Sequence, residues 1–203
     1  MSSGAPVRLE EDGPLAVLTL DAPPLNLFDQ AMMDGLQAAV LELSAAPPRG
    51  LLIRAEGRVV SGGVDVHRFV GVTPAQGAEL WRSLLETIHL LEELPCPVVF
   101  AAHALCLTAA FELALACDLL LAAESARFGL VEIVVGLTPS MGGPQRLAER
   151  AGPARARELV MTGELYDAAT LERWNVVNRV LPDADFDVAA RNDLEVDQAV
   201  PAE

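Results

Sequence analysis

The sequence predicts an α/β domain, and the order of its hydrophobic patterns carries that prediction. Short apolar runs typical of buried strands come early, at residues 15–20 and 50–55. Stretches with apolar residues at helical spacing dominate the second half of the chain. Strands and helices combined in this way place a sheet against covering helices. The chain has 203 residues, 52% of them hydrophobic, which is enough for one sizeable core.

Local signals then define each element in order. The run at 15–20 ends at a turn with two prolines, and helical spacing predicts a helix from Asp29 to about Ser44. A second strand at 50–55 precedes a segment with two adjacent glycines, residues 58–66. The remaining expected elements are strands at about 98–102, 118–122 and 176–181 and helices at about 109–116, 143–150, 153–161 and 168–174.

A capping signal marks the start of one further helix. Thr73 can cap it, Pro74 suits the first helical position, and Gln76 can complete a capping box. An apolar stripe continues from there, and the helix is expected to end before Pro95 because proline cannot continue it.

The charge balance excludes several classes of protein. The net charge is −15, and all 14 basic residues are arginine. Without lysine the chain cannot form a lysine Schiff base, attach pyridoxal phosphate covalently or supply the lysine of a Walker A site. An acidic chain also lacks the basic field that attracts nucleic acid or an anionic membrane surface, so we expect neither partner.

Cysteine usage and the apolar runs predict a cytoplasmic location. Cys96, Cys106 and Cys117 lie in apolar surroundings without a CxxC motif, which is typical of reduced core thiols. The first residues lack the basic and apolar stretches of a signal peptide. The longest apolar run, residues 113–123, is interrupted by Asp118 and is shorter than the ~20 residues that span a bilayer.

The acidic residues divide the chain into two parts. Residues 183–203 contain seven acidic residues and one arginine. We therefore predict a core domain over residues 1–181 and a short acidic C-terminal segment over residues 182–203. The segment is expected to form a solvated helix followed by a frayed end.

Two glutamates in apolar surroundings are the candidate catalytic residues. Glu112 lies in an alanine-rich stretch where every neighbour is apolar, so it is paired with a hidden arginine, protonated, or functional with a raised pKa. Glu132 lies in a similar stretch, but a strand edge or turn can expose one such residue at little cost, so the pattern alone favours a surface position for Glu132.

The glycine-containing segment offers backbone donors near these acids. The adjacent glycines in Ser61-Gly62-Gly63-Val64-Asp65 let the backbone approach a ligand closely. Thr108 precedes a helix whose first N–H groups are unpaired. Two such sets of N–H groups are what an oxyanion site requires, although a glycine-rich turn alone is weak evidence.

Five ordered segments then carry a family resemblance. They are Pro24-Leu25-Asn26-Leu27-Phe28, Val60-Ser61-Gly62-Gly63-Val64-Asp65-Val66, residues 101–118, Phe128-Gly129-Leu130-Val131-Glu132 and Gly142-Gly143-Pro144-Gln145-Arg146-Leu147. From about Val7 to Leu181 the chain resembles the crotonase, or enoyl-CoA hydratase/isomerase, superfamily. The resemblance implies a spiral of ββα units followed by C-terminal helices, and an enzyme that forms homotrimers or hexamers.

The resemblance also implies a role for each candidate residue. The N–H groups of Val64 and Ala109 would polarise a thioester carbonyl, while Glu112 activates water and Glu132 protonates the α-carbon. The implied substrate is an acyl-CoA or carrier-bound thioester, with coenzyme A as part of the substrate and no separate cofactor or metal. The implied substrate-binding residues are Leu27, Ser61, Gly62, Gly63, Asp65, Val66, His67, Arg68, Thr108 and Ser140.

Several positions depart from the family pattern. Thr108-Ala109-Ala110 and Ala104 replace residues that are commonly glycine, and alanine can serve there only if its φ angle is negative. The other departures are His103 for an asparagine, Phe111 for a small residue and Ser140-Met141 for a small glycine-containing pair. Together they predict a narrowed or reshaped acyl pocket.

Three functions therefore remain open at the level of sequence. The first is hydration or dehydration of a 2-enoyl thioester, which the retention of both glutamates favours. The second is isomerisation or another enolate reaction, such as decarboxylation, on the same oxyanion hole. The third is a non-catalytic acyl-CoA-binding protein, which the substituted glycines favour. Relatives also carry C-terminal helices that cap the pocket, whereas this sequence continues only as the acidic segment from Asp183.

Overall fold

The computed structural model describes residues 4–196 and confirms the α/β class. The strands are β1 (Val7–Asp12), β2 (Leu15–Leu20), β3 (Gly50–Ala55), β4 (Val98–Ala102), β5 (Leu105–Leu107), β6 (Leu119–Ala123), β7 (Arg127–Gly129), β8 (Tyr166–Asp167) and β9 (Arg179–Leu181). The helices are α1 (Gln30–Ala45), α2 (Pro74–Glu92), α3 (Ala109–Leu115), α4 (Gly143–Ala151), α5 (Pro153–Thr162), α6 (Ala168–Arg173) and α7 (Phe186–Val196).

The strands form two sheets. The larger sheet has the order β1-β2-β3-β4-β6-β9, with β1 antiparallel to β2 and every later neighbour parallel. Strands β2 and β4 are buried along their whole length, as expected for parallel strands covered by other layers. The smaller sheet has the order β5-β7-β8 and pairs β5 with β7 in parallel. This parallel pair determines where the candidate site forms.

Helix α3 is the central helix of the core. All seven of its residues are buried: three alanines, three larger apolar residues and the single acid Glu112. The alanines let the helix approach its neighbours closely. A carboxyl on this helix therefore cannot reach bulk water, and its partners must come from neighbouring elements of the protein.

The capping box predicted for α2 is confirmed, because Thr73 and Gln76 form both of its reciprocal bonds. Helix α1 begins one residue later than predicted, since Asp29 caps it by accepting the Met32 N–H at 2.8 Å. The strands at residues 15–20, 50–55 and 98–102 have the predicted bounds. The strand predicted at 176–181 is shorter, because the N–H groups of Val176 and Val177 both bond the carbonyl of Leu171 and keep the chain in a turn until Arg179.

The acidic segment folds onto the larger sheet as far as it is described. Helix α7 buries Phe186 and Ala190, and its Arg191 pairs with Asp12. The helix expected in this segment is therefore present, but one face packs on the protein, so it is not wholly solvated. Residues 197–203 lie outside the described residues, and the division at residue 181 stays a prediction. Within residues 4–196, none of the helices combines the length and apolar character needed to cross a bilayer.

Candidate active site

The two predicted glutamates meet because two parallel strands end side by side. Strand β5 leads into α3, which carries Glu112. Strand β7 is followed by a 3₁₀ turn that begins with Glu132. The Thr108 N–H bonds the Gly129 carbonyl at 3.0 Å and holds the two exits together. The segments after parallel strands leave a sheet at the same edge, so residues distant in sequence line one site.

The glycine-containing segment is fixed to the same edge. The Ser61 N–H donates to the Leu105 carbonyl at 3.1 Å, and the Leu107 N–H donates back to the Ser61 carbonyl at 3.2 Å. These bonds extend the smaller sheet by one irregular strand. They bring the backbone of Val64 beside Thr108.

Asn26 supports this segment and was not selected as a site residue from the sequence. It is 1% exposed, and its side-chain nitrogen donates to three carbonyl oxygens of residues 56–60 at 2.8–3.1 Å. The Asn26 carbonyl accepts the Ser61 hydroxyl at 2.7 Å, and that hydroxyl in turn accepts the Gly63 N–H at 2.9 Å. The Pro24–Phe28 motif contains the signal for Asn26, a single amide in a largely apolar segment, whereas the resemblance points to Leu27.

Thr108 adopts a backbone conformation that favours glycine. Its φ is 47° and its ψ is −116°, and a β-branched residue with positive φ is a rare outlier that costs about 1–3 kcal/mol. Its hydroxyl oxygen accepts the Val64 N–H at 3.1 Å. One of the two predicted oxyanion donors is therefore engaged by a side chain.

Ala109 has the negative φ angle that it needs in order to serve as a backbone donor. Outside glycine, positive φ occurs among the described residues only at Asn26, Thr108 and Asn175, so Ala109 and Ala110 keep negative φ. The bonds found within residues 4–196 include no acceptor for the Ala109 N–H, as expected at the first position of a helix.

Glu112 is held by three backbone N–H groups. Its Oε2 accepts from Met141 at 2.9 Å and from Gly143 at 2.7 Å, and its Oε1 accepts from Ser140 at 3.2 Å. The pKa of Glu112 is raised above its ordinary value, because burial raises it by more than these three N–H groups and the Arg146 charge lower it. The hidden arginine considered from the sequence therefore acts at a distance, and backbone donors are the direct partners.

Arg146 braces the turn that supplies those donors. Its guanidinium donates to the Met141 carbonyl at 3.0 Å and forms a two-bond pair with Glu92 of α2, each bond 2.6 Å long. The side chain of Arg146 is only 13% exposed. Paired, mostly buried arginine forks are geometrically specific, so this pair fixes the turn at residues 140–143 against α2.

Glu132 has surroundings of the opposite kind. It is buried, which excludes the surface alternative, and its Oε2 has no hydrogen-bond partner among the described residues. Burial raises the pKa of Glu132 to about 7, its own backbone N–H lowers it, and the nearby charge of Glu112 raises it further. At neutral pH this carboxyl is therefore divided between its protonated and ionised forms.

A small cavity connects the two carboxyls. Its volume is about 20 Å³, which is about the space that one water molecule occupies. Five of the predicted site residues line it, namely Val64, Ala109, Glu112, Glu132 and Ser140. The other lining residues are Met33, Phe69, Trp81, Leu84, Leu137, Thr138 and Met141. Of these, only Met141 was expected at the pocket, as one of the departures from the family pattern. Trp81 and Leu84 lie on the apolar stripe of α2, and such a stripe predicts that residues are buried but not that they line a cavity.

The other predicted binding residues lie around the cavity without lining it. Asp65 caps a 3₁₀ turn over residues 66–69 by accepting the His67 N–H at 3.1 Å. Arg68 contacts the Met33 sulfur and donates to Gln30 at 2.7 Å. The residues outside the lining are Leu27, Ser61, Gly62, Gly63, Asp65, Val66, His67, Arg68 and Thr108.

The expectation that Phe111 narrows the pocket is wrong. Phe111 is fully buried and packs on Phe128 with ring centroids 5.3 Å apart, on the core side of α3. The side chain fills the space between α3 and β7, so it does not narrow the cavity. Met141 and Ser140 do line the cavity, as the departures predicted.

Comparison with known proteins shows the family of the chain. A family model described as enoyl-CoA hydratase/isomerase matches residues 10–196. The chain is 33% identical over 187 residues to the "Probable enoyl-CoA hydratase echA8" of Mycobacterium tuberculosis, covering 91% of this chain and 72% of that protein. It is 32% identical over 187 residues to the carnitinyl-CoA dehydratase of Salmonella heidelberg, covering 91% and 71%.

Solved structures share the fold. DspI of Pseudomonas aeruginosa superposes with a TM-score of 0.91 at 26% identity, covering 99% of this chain and 83% of that one. A Thermobifida fusca protein described as an enoyl-CoA hydratase and solved with CoA gives 0.87 at 29% identity, covering 97% and 80%. The expected crotonase-like fold is confirmed. With its family model matched over most of its length, the chain belongs to the enoyl-CoA hydratase/isomerase family of enzymes.

Proposed function

We propose that the protein adds water across the α,β double bond of an enoyl-CoA thioester, or removes water to form that double bond. The observation that carries the proposal is the pair of buried carboxyls on one water-sized cavity. Three N–H groups hold one carboxyl, and the other has an oxygen without a hydrogen-bond partner among residues 4–196. Relatives named enoyl-CoA hydratase and carnitinyl-CoA dehydratase, and a neighbour solved with CoA, support the substrate class.

The surroundings of each carboxyl assign it a role. Hydrogen bonds to the ionised form favour a carboxylate at Glu112, which would accept a proton from the attacking water. Glu132, with its raised pKa, would give its proton to the α-carbon. Water oxygen then bonds to the β-carbon, and the negative charge that develops on the thioester oxygen is met by the Ala109 N–H, the one of the two expected backbone donors that Thr108 does not engage.

Isomerisation and binding alone are the competing functions. An isomerase would need only one carboxyl to move a proton between carbons, and Glu132 could supply it. The engaged N–H of Val64 would favour binding alone, because one of the two expected donors is then missing.

Incubation with a short 2-enoyl-CoA separates these functions. Hydration consumes the conjugated absorbance and gives a product heavier by one water, whereas isomerisation of a 3-enoyl-CoA leaves the mass unchanged. Tight binding of a saturated acyl-CoA without turnover of any enoyl thioester would contradict the proposal. Arg68 would be a phosphate partner of CoA, so Arg68→Gln should raise KM and leave kcat largely intact.

We also infer that the protein is a homo-oligomer, a trimer or hexamer. Ile133, Val134 and Val135 are exposed on the turn after Glu132, and Ile133 and Val134 lie against Gly163. Exposed apolar clusters of this kind mark interaction surfaces. Light scattering in solution tests the inference, and a mass of one chain would contradict it.

A further inference from the structure

The Thr108 hydroxyl occupies the approach to the Val64 N–H. Its oxygen lies 3.1 Å from that nitrogen, and Thr108 is 5% exposed. A thioester oxygen cannot take the same hydrogen bond while the hydroxyl is in place. The Val64 N–H, to which the family resemblance assigns the role of oxyanion donor, therefore donates to Thr108 in this chain.

The hydroxyl keeps a proton of its own to donate. A threonine hydroxyl accepts up to two hydrogen bonds and donates one. The bonds found within residues 4–196 use it only as the acceptor of the Val64 N–H. Burying a hydroxyl donor without an acceptor is costly, so a ligand oxygen would satisfy it.

The surrounding backbone is shaped to hold this hydroxyl. Gly63 has φ of 100°, and a Cβ atom there would lie 2.2 Å from the Thr108 oxygen. The space that the hydroxyl fills therefore depends on the absence of a side chain at Gly63. Thr108 holds its hydroxyl in this position with a positive φ of 47°.

Thr108 is adjacent to both predicted oxyanion donors. Val64 and Ala109 line the cavity with Glu112 and Glu132, and Thr108, which lies just outside that lining, is bonded to the first and precedes the second. A proton that Thr108 donates to a ligand oxygen held at Ala109 would act beside the Ala109 N–H. The Val64 N–H would polarise the hydroxyl and strengthen its donation.

We propose that the Thr108 hydroxyl is a catalytic oxyanion donor: it accepts the Val64 N–H and donates its own proton to the thioester oxygen, beside the Ala109 N–H. This inference rests on the proposed acyl-CoA chemistry. No bond forms or breaks at Thr108, since the hydroxyl stabilises the negative charge by hydrogen bonding alone. The site thus keeps two donors although Thr108 stands where the family commonly has glycine.

Four variants test the role of the hydroxyl. Thr108→Val keeps the shape and removes the hydroxyl, and Thr108→Ser keeps the hydroxyl. Thr108→Cys is the second hydroxyl-free variant in case valine does not fold at positive φ, because a thiol is only a weak donor. Thr108→Gly removes the whole side chain and frees the Val64 N–H.

Two readouts are needed, turnover of a short 2-enoyl-CoA and the absorption of bound cinnamoyl-CoA. The absorption of this aromatic enoyl thioester shifts to longer wavelength when its carbonyl is polarised. We expect valine and cysteine to lower kcat by about 10²–10³-fold and to lose most of the shift. Serine should keep most of both.

The outcomes separate this inference from the proposed function. Valine and cysteine variants as active as the wild type would overturn the role of Thr108 while leaving hydration intact. A glycine variant that is faster than the wild type and gives the larger spectral shift would also overturn it, since the side chain would then be an obstruction.

If the wild-type protein shifts the probe spectrum but hydrates no enoyl-CoA, the hydration proposal fails. A larger shift in the serine variant than in the valine variant would then still support the role of Thr108. If the wild type binds the probe without a shift, Thr108 is not a donor.

Discussion

Glu112 and Glu132 line the same cavity and are almost equally buried, at 2% and 5% exposed, but their surroundings are opposite. Three backbone N–H groups hold the oxygens of Glu112, whereas one oxygen of Glu132 has no partner among the described residues. Burial raises the pKa of both carboxyls, and only at Glu112 do several donors oppose that effect. The comparison teaches that hydrogen-bond donors, more than burial, divide the work between two like residues.

The largest effect should come from removing either carboxyl. Glu112→Gln and Glu132→Gln should each lower kcat for hydration by about 10²–10⁴-fold, because proton transfer by a positioned side chain contributes that much. Stopped assays with a short 2-enoyl-CoA measure the loss. Glu124→Gln, at an exposed glutamate, is the matched control and should leave the rate unchanged. Full activity in either of the first two variants would refute the assigned role of that residue.

A smaller effect should follow from disturbing the donors of Glu112. A Cβ atom at Gly143 would lie 2.5 Å from the Glu112 Cγ and 2.8 Å from its Oε2, so Gly143→Ala must displace the carboxylate. We expect kcat to fall by about tenfold or more, because small misplacements of a catalytic group are costly.

Gly77→Ala in α2 is the control for that substitution. Its nearest neighbour would be a Val72 methyl group at 3.9 Å, an ordinary contact. Activity should not change, and thermal unfolding should show a gain of about 0.5–1 kcal/mol because alanine favours helices over glycine. Equal activity losses in both alanine variants would argue against a specific role for the turn at residues 140–143.

The pH dependence of hydration should report the two carboxyls separately. Glu132 must be protonated to act as the acid, so kcat/KM should fall as the pH rises through about 7. Glu112 must be ionised to act as the base, so the rate should also fall toward acid pH. A rate that stays constant as the pH rises from about one unit below to about two units above this pKa of about 7 would contradict the assignment of Glu132.

Stability should show the same asymmetry. Because the pKa of Glu132 is raised in the folded protein, its ionisation lowers the free energy of unfolding as the pH rises from 4.5 through about 7. Glu132→Gln stays neutral, so above that range it should be more stable than the wild type by up to about 3 kcal/mol. Below pH 4.5 the difference should vanish. Denaturant titrations at the two pH extremes measure it, and a difference independent of pH would count against a buried, titrating Glu132.

Much of the fold could be predicted from local signals. Continuous apolar runs gave the bounds of β2, β3 and β4, and a capping box marked the start of α2. The strands β5, β7 and β8 were not predicted, because two or three residues carry too short a pattern for periodicity to detect. Yet the pairing of β5 with β7 is what brings the two glutamates together.

The candidate site could be predicted only in part. A lone acid in an alanine-rich helix pointed to Glu112, and the family resemblance added Glu132 and the backbone donors. The backbone partners of Glu112 and the Thr108 contact with Val64 depend on tertiary packing and on a positive φ angle, which no sequence pattern encodes for threonine. The effect of Phe111 was mispredicted for a related reason, since the direction of a side chain on a fully buried helix depends on what surrounds it.

Direct titration of the two carboxyls tests the central claim of unlike surroundings. Carbon-13 NMR of glutamate labelled at the side-chain carboxyl, in the wild type and in the Glu112→Gln and Glu132→Gln variants, would follow both groups. We predict one carboxyl that titrates at about 7, that disappears in Glu132→Gln and that persists in Glu112→Gln. A wild-type spectrum in which no carboxyl titrates above the ordinary range of glutamic acid, or an upper step that disappears only in Glu112→Gln, would contradict the account.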